Sequence, residues 1–261
     1  MYQIPGLLKY PKLFHAFSEK TDGNMANSIL GKVVDFDKVL DNRKRFLSSI
    51  KVLIDTCVCM WVLGEDGVLK ADEAFAGVSM ENYKKAIKID ALITNQTGLY
   101  PFLLTADCEP VIIFDTSKKA IGLVHVGWKG ADLEIVKKVI GRMKDEYGAV
   151  AEDLIVGIGP HASRASFVKD NPSQIDDSKW QPFLEKVIKD LPERAPRAQG
   201  YKVDFAGLVR QQLIQSGIRK ENIFESNIDT VKDSRFFSHV REGNLPLSKQ
   251  GRFACVVGLK S

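Results

Sequence analysis

The 261 residues, 44% of them hydrophobic, carry enough apolar material for a continuous core and exclude an intrinsically disordered chain. Lys and Arg number 37 against 33 Asp and Glu, and the resulting +4 is spread along the chain, so neither a basic arm nor a motif with interleaved aromatics points to a nucleic-acid partner. The first ten residues lack the flank and cleavage site of a secretory signal, and no later stretch is apolar enough to span a bilayer, so the expectation is a cytoplasmic protein without a membrane partner.

In chain order, Val33–Ser48 predicts a first helix and Val52–Met60 a strand. Short β-rich runs follow at Ala91–Thr94, Phe102–Thr105, Val111–Phe114 and Ile121–Val126. A helix over Ala131–Tyr147 puts Leu133, Val136, Val139, Ile140 and Met143 on one face, and Gly148 stops it. Leu154–Ile158 is a further strand. Between Asp170 and Gly200, Pro172, Pro182, Pro192 and Pro196 punctuate a charged helical stretch, Gln181–Leu191, which reads as an excursion from the core, and whether it folds over a pocket as a lid stays open. A helix over Phe205–Gln215, capped by Asp204 and ended by Gly217, precedes the last strand, Ala254–Leu259. Strands and helices mixed without strict alternation imply a mixed α/β (α+β) fold, β-sheets flanked by helices, with residues 1–261 as a single domain. The oligomeric state stays open.

The chemistry concentrates between Thr105 and Gly130. Two apolar runs flank the polar Asp115-Thr-Ser-Lys-Lys119, the composition of a hairpin loop, and counting outward from it brings Cys108 and His125 to the same open end. A thiol beside an imidazole serves either as a nucleophile with its base or as half of a soft metal site for zinc or copper. Gly127-Trp-Lys-Gly130 then opens a helix, a cradle suited to an anion, with Lys129 adding a charge and Asp107 a carboxylate nearby. Taken singly, each feature is more often a core residue or a tight turn; the convergence favours a site. Cys57, Cys59 and Cys255 sit inside apolar strand patterns and read as small buried residues.

The segment T-A-D-C-E-P-V followed by H-V-G-W-K-G resembles the signature of the polyphenol oxidase or laccase-domain family, whose activities are purine nucleoside phosphorolysis and adenosine deamination. The resemblance extends over nearly the whole chain, through His15-Ala-Phe-Ser, Asn42-Arg43, Asp90-Ala-Leu-Ile-Thr, Gly157-Ile-Gly-Pro160, Asp204, Arg235-Phe-Phe-Ser and Gly251-Arg-Phe. It implies a laccase-domain fold and a metal, usually zinc, on a His-Cys-His triad. Cys108 and His125 match two ligands, while Leu63 stands where the third histidine of a Q-V-H-G motif belongs. Further departures, Lys20, Asp229 and the new His161 and His239, fall in bordering motifs, and either histidine is a candidate substitute ligand. The function implied is phosphorolysis of adenosine- or inosine-like nucleosides, with purine nucleoside and phosphate as small-molecule partners. Asp107, Cys108 and His125 are the catalytic candidates, and Arg43, Lys129 and Arg241 the candidates for phosphate or ribose oxygens. The alternatives are a catalytically impaired member that binds a ligand or partner protein, and a copper-dependent polyphenol oxidase, disfavoured by a total of four histidines.

Overall fold

Residues 1–81, 87–170, 172–188 and 199–260 are described by the computed structural model of the chain. In chain order the strands and helices begin with β1 (Leu13–Phe17), β2 (Ser28–Ile29), β3 (Lys32–Val33), α1 (Phe36–Ser49), β4 (Cys57–Trp61), β5 (Val68–Lys70), β6 (Ile87–Lys88) and β7 (Ala91–Thr94). They continue with β8 (Tyr100–Thr105), β9 (Glu109–Asp115), β10 (Ala120–Val126), α2 (Trp128–Asp132), α3 (Ile135–Tyr147) and β11 (Leu154–Ile158). The last third holds β12 (Val168–Asp170), β13 (Leu184–Ile188), β14 (Gln199–Val203), α4 (Phe205–Gln215), β15 (Ile223–Glu225), α5 (His239–Glu242) and β16 (Phe253–Leu259).

Successive side chains on a strand point to opposite faces, and that alternation sorts the core into layers. One sheet runs β1-β16-β8-β4-β6 and a second β15-β11-β9-β10-β7-β5. Val58, Met60, Leu103, Cys255 and Val257 of the first meet Leu92, Ile112, Phe114, Ile121 and Leu123 of the second between the sheets. On the outer face of the second sheet, Val111, Ile113, Val124 and Val126 pack under α3 and α4. Cys59, Phe102, Ala254 and Val256, on the outer face of the first, pack under Phe46 and Leu47 of α1. The result is the expected mixed α/β architecture. Among the described residues no helix is long and apolar enough to cross a membrane.

Several boundaries move for local reasons. Lys32–Val33 pairs with Ser28–Ile29, so the first helix begins only at Phe36, where Asp35 accepts the Lys38 N–H at 3.2 Å. The predicted strand from Val52 starts at Cys57, after a 3-10 turn over Ile54–Thr56. The predicted helix over Ala131–Tyr147 is two helices: Glu134 adopts a left-handed conformation (φ 57°), and Leu133, assigned to the apolar face, is exposed. Contacts from elsewhere hold α2 in its own direction. Gln212 of α4 donates to Ala131 O at 2.8 Å, and Asp132 accepts from Trp180 Nε1 at 2.8 Å.

The larger correction lies in the excursion. Gln181–Phe183 is a 3-10 turn and Leu184–Ile188 a strand, not a helix, because pairing with Gln199–Val203 decides the conformation of a charged segment with weak preference of its own. With Val168–Asp170 these strands form a three-stranded sheet. The rest of the predicted helix, 189–191, and Pro192 and Pro196 lie outside the described residues.

Candidate active site

The hairpin β9–β10 pairs Glu109 with Val126 and His125 with Pro110, which leaves Cys108 facing Gly127. Its turn is fixed by Asp115, whose Oδ1 accepts the Ser117 and Lys118 N–H groups at 2.8 Å each. A Cβ on Gly127 would lie 3.1 Å from Cys108 Sγ, 3.6 Å from His125 Cε1 and 3.9 Å from its Nε2. Thiol and imidazole therefore share one small space, and Gly127 is the residue that leaves it open.

On its other side the imidazole is held by Asp90, with His125 Nδ1 2.9 Å from Asp90 Oδ1. The same carboxylate accepts the backbone N–H groups of Leu63 (3.0 Å), Gly64 (2.9 Å) and Glu65 (3.0 Å). Burial works to raise the Asp90 pKa, but the hydrogen bonds from His125, Glu65 and Gly64 outweigh it and hold the pKa below the usual carboxylate range. Burial by itself would lower the His125 pKa; the charge of Cys108 and the hydrogen bonds to Asp90 and Cys108 reverse this and raise it to about 9. The imidazole is thus a cation at neutral pH, set between a carboxylate and a thiol.

Asp107 adopts a left-handed conformation (φ 82°) in the crossing from β8 to β9. Its Oδ1 accepts from Thr230 Oγ1 at 2.6 Å, and its Oδ2 accepts from Ser238 Oγ at 3.1 Å and Val240 N at 2.7 Å. This buried carboxylate ties the segment after β15 to the loop that presents Cys108, a positioning task. Arg241 is similarly committed: its guanidinium donates to the carbonyls of Thr230, Val231 and Phe236 and to Glu242. Lys129 is exposed and lies 4.0 Å from Glu65. The anion cradle expected at Gly127 rests on α2, a helix of five residues, and is correspondingly weak. Arg43 is wholly buried, far from being a surface hook, and lines a cavity taken up below.

The two substitute histidines sit elsewhere. His161 turns Nδ1 to Gly159 O at 2.8 Å, packs on Phe205 and has Nε2 3.7 Å from Glu109, on the helix side of the sheet. His239 is exposed at the start of α5, its ring against Gly243. Leu63 has no donor atom to offer a metal. Among the described residues no group of three His, Cys, Asp or Glu side chains is placed to hold a metal ion. The donor set around Cys108 and His125 therefore does not fit the three-ligand zinc or copper centre that the resemblance implies, and no step below is routed through one.

Three residues at this end of the fold had no assigned role in the sequence reading. Asp90 was visible only as the first letter of Asp90-Ala-Leu-Ile-Thr. Glu109 is fully buried, neither carboxylate oxygen has a hydrogen-bond partner among the described residues, and burial, with Glu225 and Asp204 adding to it, holds its pKa well above the usual range. Arg252, just before β16, is largely buried and feels the charges of Cys108, Asp107 and Glu242.

Two stacked sheets between helices, with a thiol–imidazole–carboxylate row where one hairpin opens, define a mixed α/β protein whose candidate centre lies at the end of the sandwich. The chain belongs to the family described as multi-copper polyphenol oxidoreductase laccase, whose model matches residues 20–260. It is similar to a purine nucleoside phosphorylase of Bacteroides thetaiotaomicron, 27% identical over 79% of this chain and 76% of that one. It is also similar to adenosine deaminase RL5 of an unknown prokaryotic organism, 26% identical over 79% of this chain and 78% of that one. The crystal structure of YlmD from Geobacillus stearothermophilus superposes with a TM-score of 0.82 at 24% identity, covering 98% of this chain and 94% of that one, a likeness of fold.

Proposed function

We propose that the protein cleaves purine nucleosides with phosphate, at the centre formed by Cys108, His125 and Asp90. The observation that carries this reading is the His125 imidazole, buried beside Cys108 and hydrogen-bonded to Asp90 at 2.9 Å; its pKa, raised to about 9, suits it to donate a proton in a confined space. The relatives, a purine nucleoside phosphorylase and an adenosine deaminase, supply the reaction class.

In phosphorolysis an oxygen of phosphate forms a bond to ribose C1′ while the C1′–N9 bond breaks and its electron pair leaves with the purine. The purine is a poor leaving group as an anion, and the proton of His125 neutralises it, giving free base and ribose 1-phosphate. Asp90 keeps the imidazole oriented and charged, and Cys108 faces its other side. Deamination of adenosine, in which water replaces the C6 amine and ammonia leaves, calls for a proton donor to the departing nitrogen as well, so the same imidazole serves both. The test is release of adenine or hypoxanthine from adenosine or inosine by the purified chain. Release that requires phosphate and falls at least a hundredfold in His125→Gln supports the reading, and no phosphate-dependent release overturns it.

Leu63 favours a second reading, a family member that binds the nucleoside without turning it over. Nucleoside binding by the wild-type chain, with turnover only in Leu63→His, would select that reading. The copper-dependent phenol oxidase has less support, since among the described residues the soft donors gathered at this site are one sulfur and one imidazole.

A further inference from the structure

At the end of the first sheet, beside the strand β8 that leads into Cys108, lies a cavity of about 270 Å³ lined by Arg43, Arg252, Asn27, Cys59 and Trp61 among others. Arg43 comes from α1 and is wholly buried. Its Nε donates to Met25 O at 2.9 Å and its Nη1 to Met80 O at 2.7 Å, while Nη2 has no acceptor among the described residues. No described carboxylate lies within ion-pair distance of it, and none lines the cavity. The Cys59 thiol beside it offers no compensation, because burial pushes that thiol's pKa up and keeps it neutral against the opposing pull of Arg43. Arg252 brings a second guanidinium to the same cavity; among the described residues it donates to Gly251 O at 2.8 Å, with the charges of Asp107 and Glu242 within its reach. Asn27, also buried, leaves its Oδ1 without a partner.

A guanidinium removed from water without a counter-charge is costly, and Arg43, in a cavity whose described lining holds no acidic side chain, is compensated by an anion, toward which Arg252 adds a second positive charge. Arginine forks match the oxygens of a tetrahedral oxyanion, and a neutral amide beside them can turn its NH2 inward. The cavity also adjoins the reactive centre by construction. Phe253, the neighbour of Arg252, pairs with Thr105, three residues before Cys108, and Trp61 leads into the 63–65 backbone that holds Asp90. We propose that this cavity is the seat of a phosphoryl group, held by Arg43 and Arg252 with Asn27 completing the shell. This rests on the phosphorolysis reading for its place in the reaction, where it replaces Lys129 and Arg241 as the phosphate-holding residues.

The experiment is titration of inorganic phosphate into the full chain by calorimetry, for the wild type, Arg252→Gln and Asn27→Asp, with circular dichroism to confirm folding. Asn27→Asp is nearly isosteric and sets a negative charge against the anion, so it remains informative if Arg252→Gln does not fold. Phosphate binding weakened at least tenfold in the folded variants supports the assignment. Saturable wild-type binding unchanged in both, or no binding by the wild type, overturns it. Competition by adenosine 5′-monophosphate, compared with adenosine, tells a phosphoryl group carried on the substrate from the free ion. Phosphorolysis with the same phosphate KM in wild type and variants would sink the cavity assignment and leave the enzyme reading standing. Variant-sensitive phosphate binding in a chain that cleaves no nucleoside would do the reverse.

Discussion

The carboxylate of Asp90 does two jobs that an amide cannot do together. Its Oδ1 faces His125 and Gly64 N, and its Oδ2 faces Leu63 N and Glu65 N. Asp90→Asn sets an NH2 group against donors whichever way the amide turns, and each donor left unsatisfied costs about 1–3 kcal/mol. The expected outcome is a lower midpoint in urea and an alkaline limb of activity shifted to lower pH. The sign follows from the imidazole, whose folded pKa of about 9 lies above its ordinary 6.5. The stability it contributes is fully present below about pH 6.5 and is lost as pH rises through about 9. Denaturation midpoints between pH 6 and 10 should fall along that window in the wild type and be flatter in His125→Gln. At position 63 the backbone is pinned to the same Asp90, so a histidine introduced there starts from a fixed place next to His125. Leu63→His is expected to take up about one zinc per chain, measurable by metal analysis and lost again when Cys108 is also changed to Ala.

At the scale of elements, β1 carries a switch of its own. His15 is buried, its Nε2 accepts the Ile4 N–H at 2.8 Å, and burial lowers its pKa to about 4. A neutral imidazole is therefore part of the folded state. Its contribution is complete above about pH 6.5 and is lost as pH falls toward about 4, where protonation turns the acceptor into a donor facing Ile4 N–H. Amide exchange at Ile4 should accelerate over that interval ahead of exchange in β9 and β10. The hairpin that presents Cys108 and His125 was legible from its two apolar runs and the polar Asp-Thr-Ser turn between them, because both signals are local. The break between α2 and α3 was not, because Gln212 and Trp180, far along the chain, impose it.

For the whole molecule, the small sheet β12-β14-β13 is anchored next to the candidate centre by contacts clustered on α2, with Gln174 and Lys179 reaching Asp132 beside Trp180. Trp180 is fully buried, stacks on Trp128 of α2 at 4.1 Å and donates to Asp132. Trp180→Ala is expected to cost about 3–5 kcal/mol, the range for truncating a buried aromatic. The loss would be read as a lower thermal midpoint, and a change within ±0.5 kcal/mol would mean that the excursion is held by other contacts. What the sequence by itself determined were properties carried by neighbours along the chain: the short β-rich runs, the cap at Asp204, the hairpin turn, the pairing of Cys108 with His125, and the family motifs. The strand over Leu184–Ile188, the seating of Asp90 behind His125, the separation of His161 and His239 from the thiol, and the two-arginine cavity were decided only in three dimensions. Each depends on residues tens to hundreds of positions apart, and which side chains meet there follows from sheet order and burial, neither of which leaves a periodic trace in the chain.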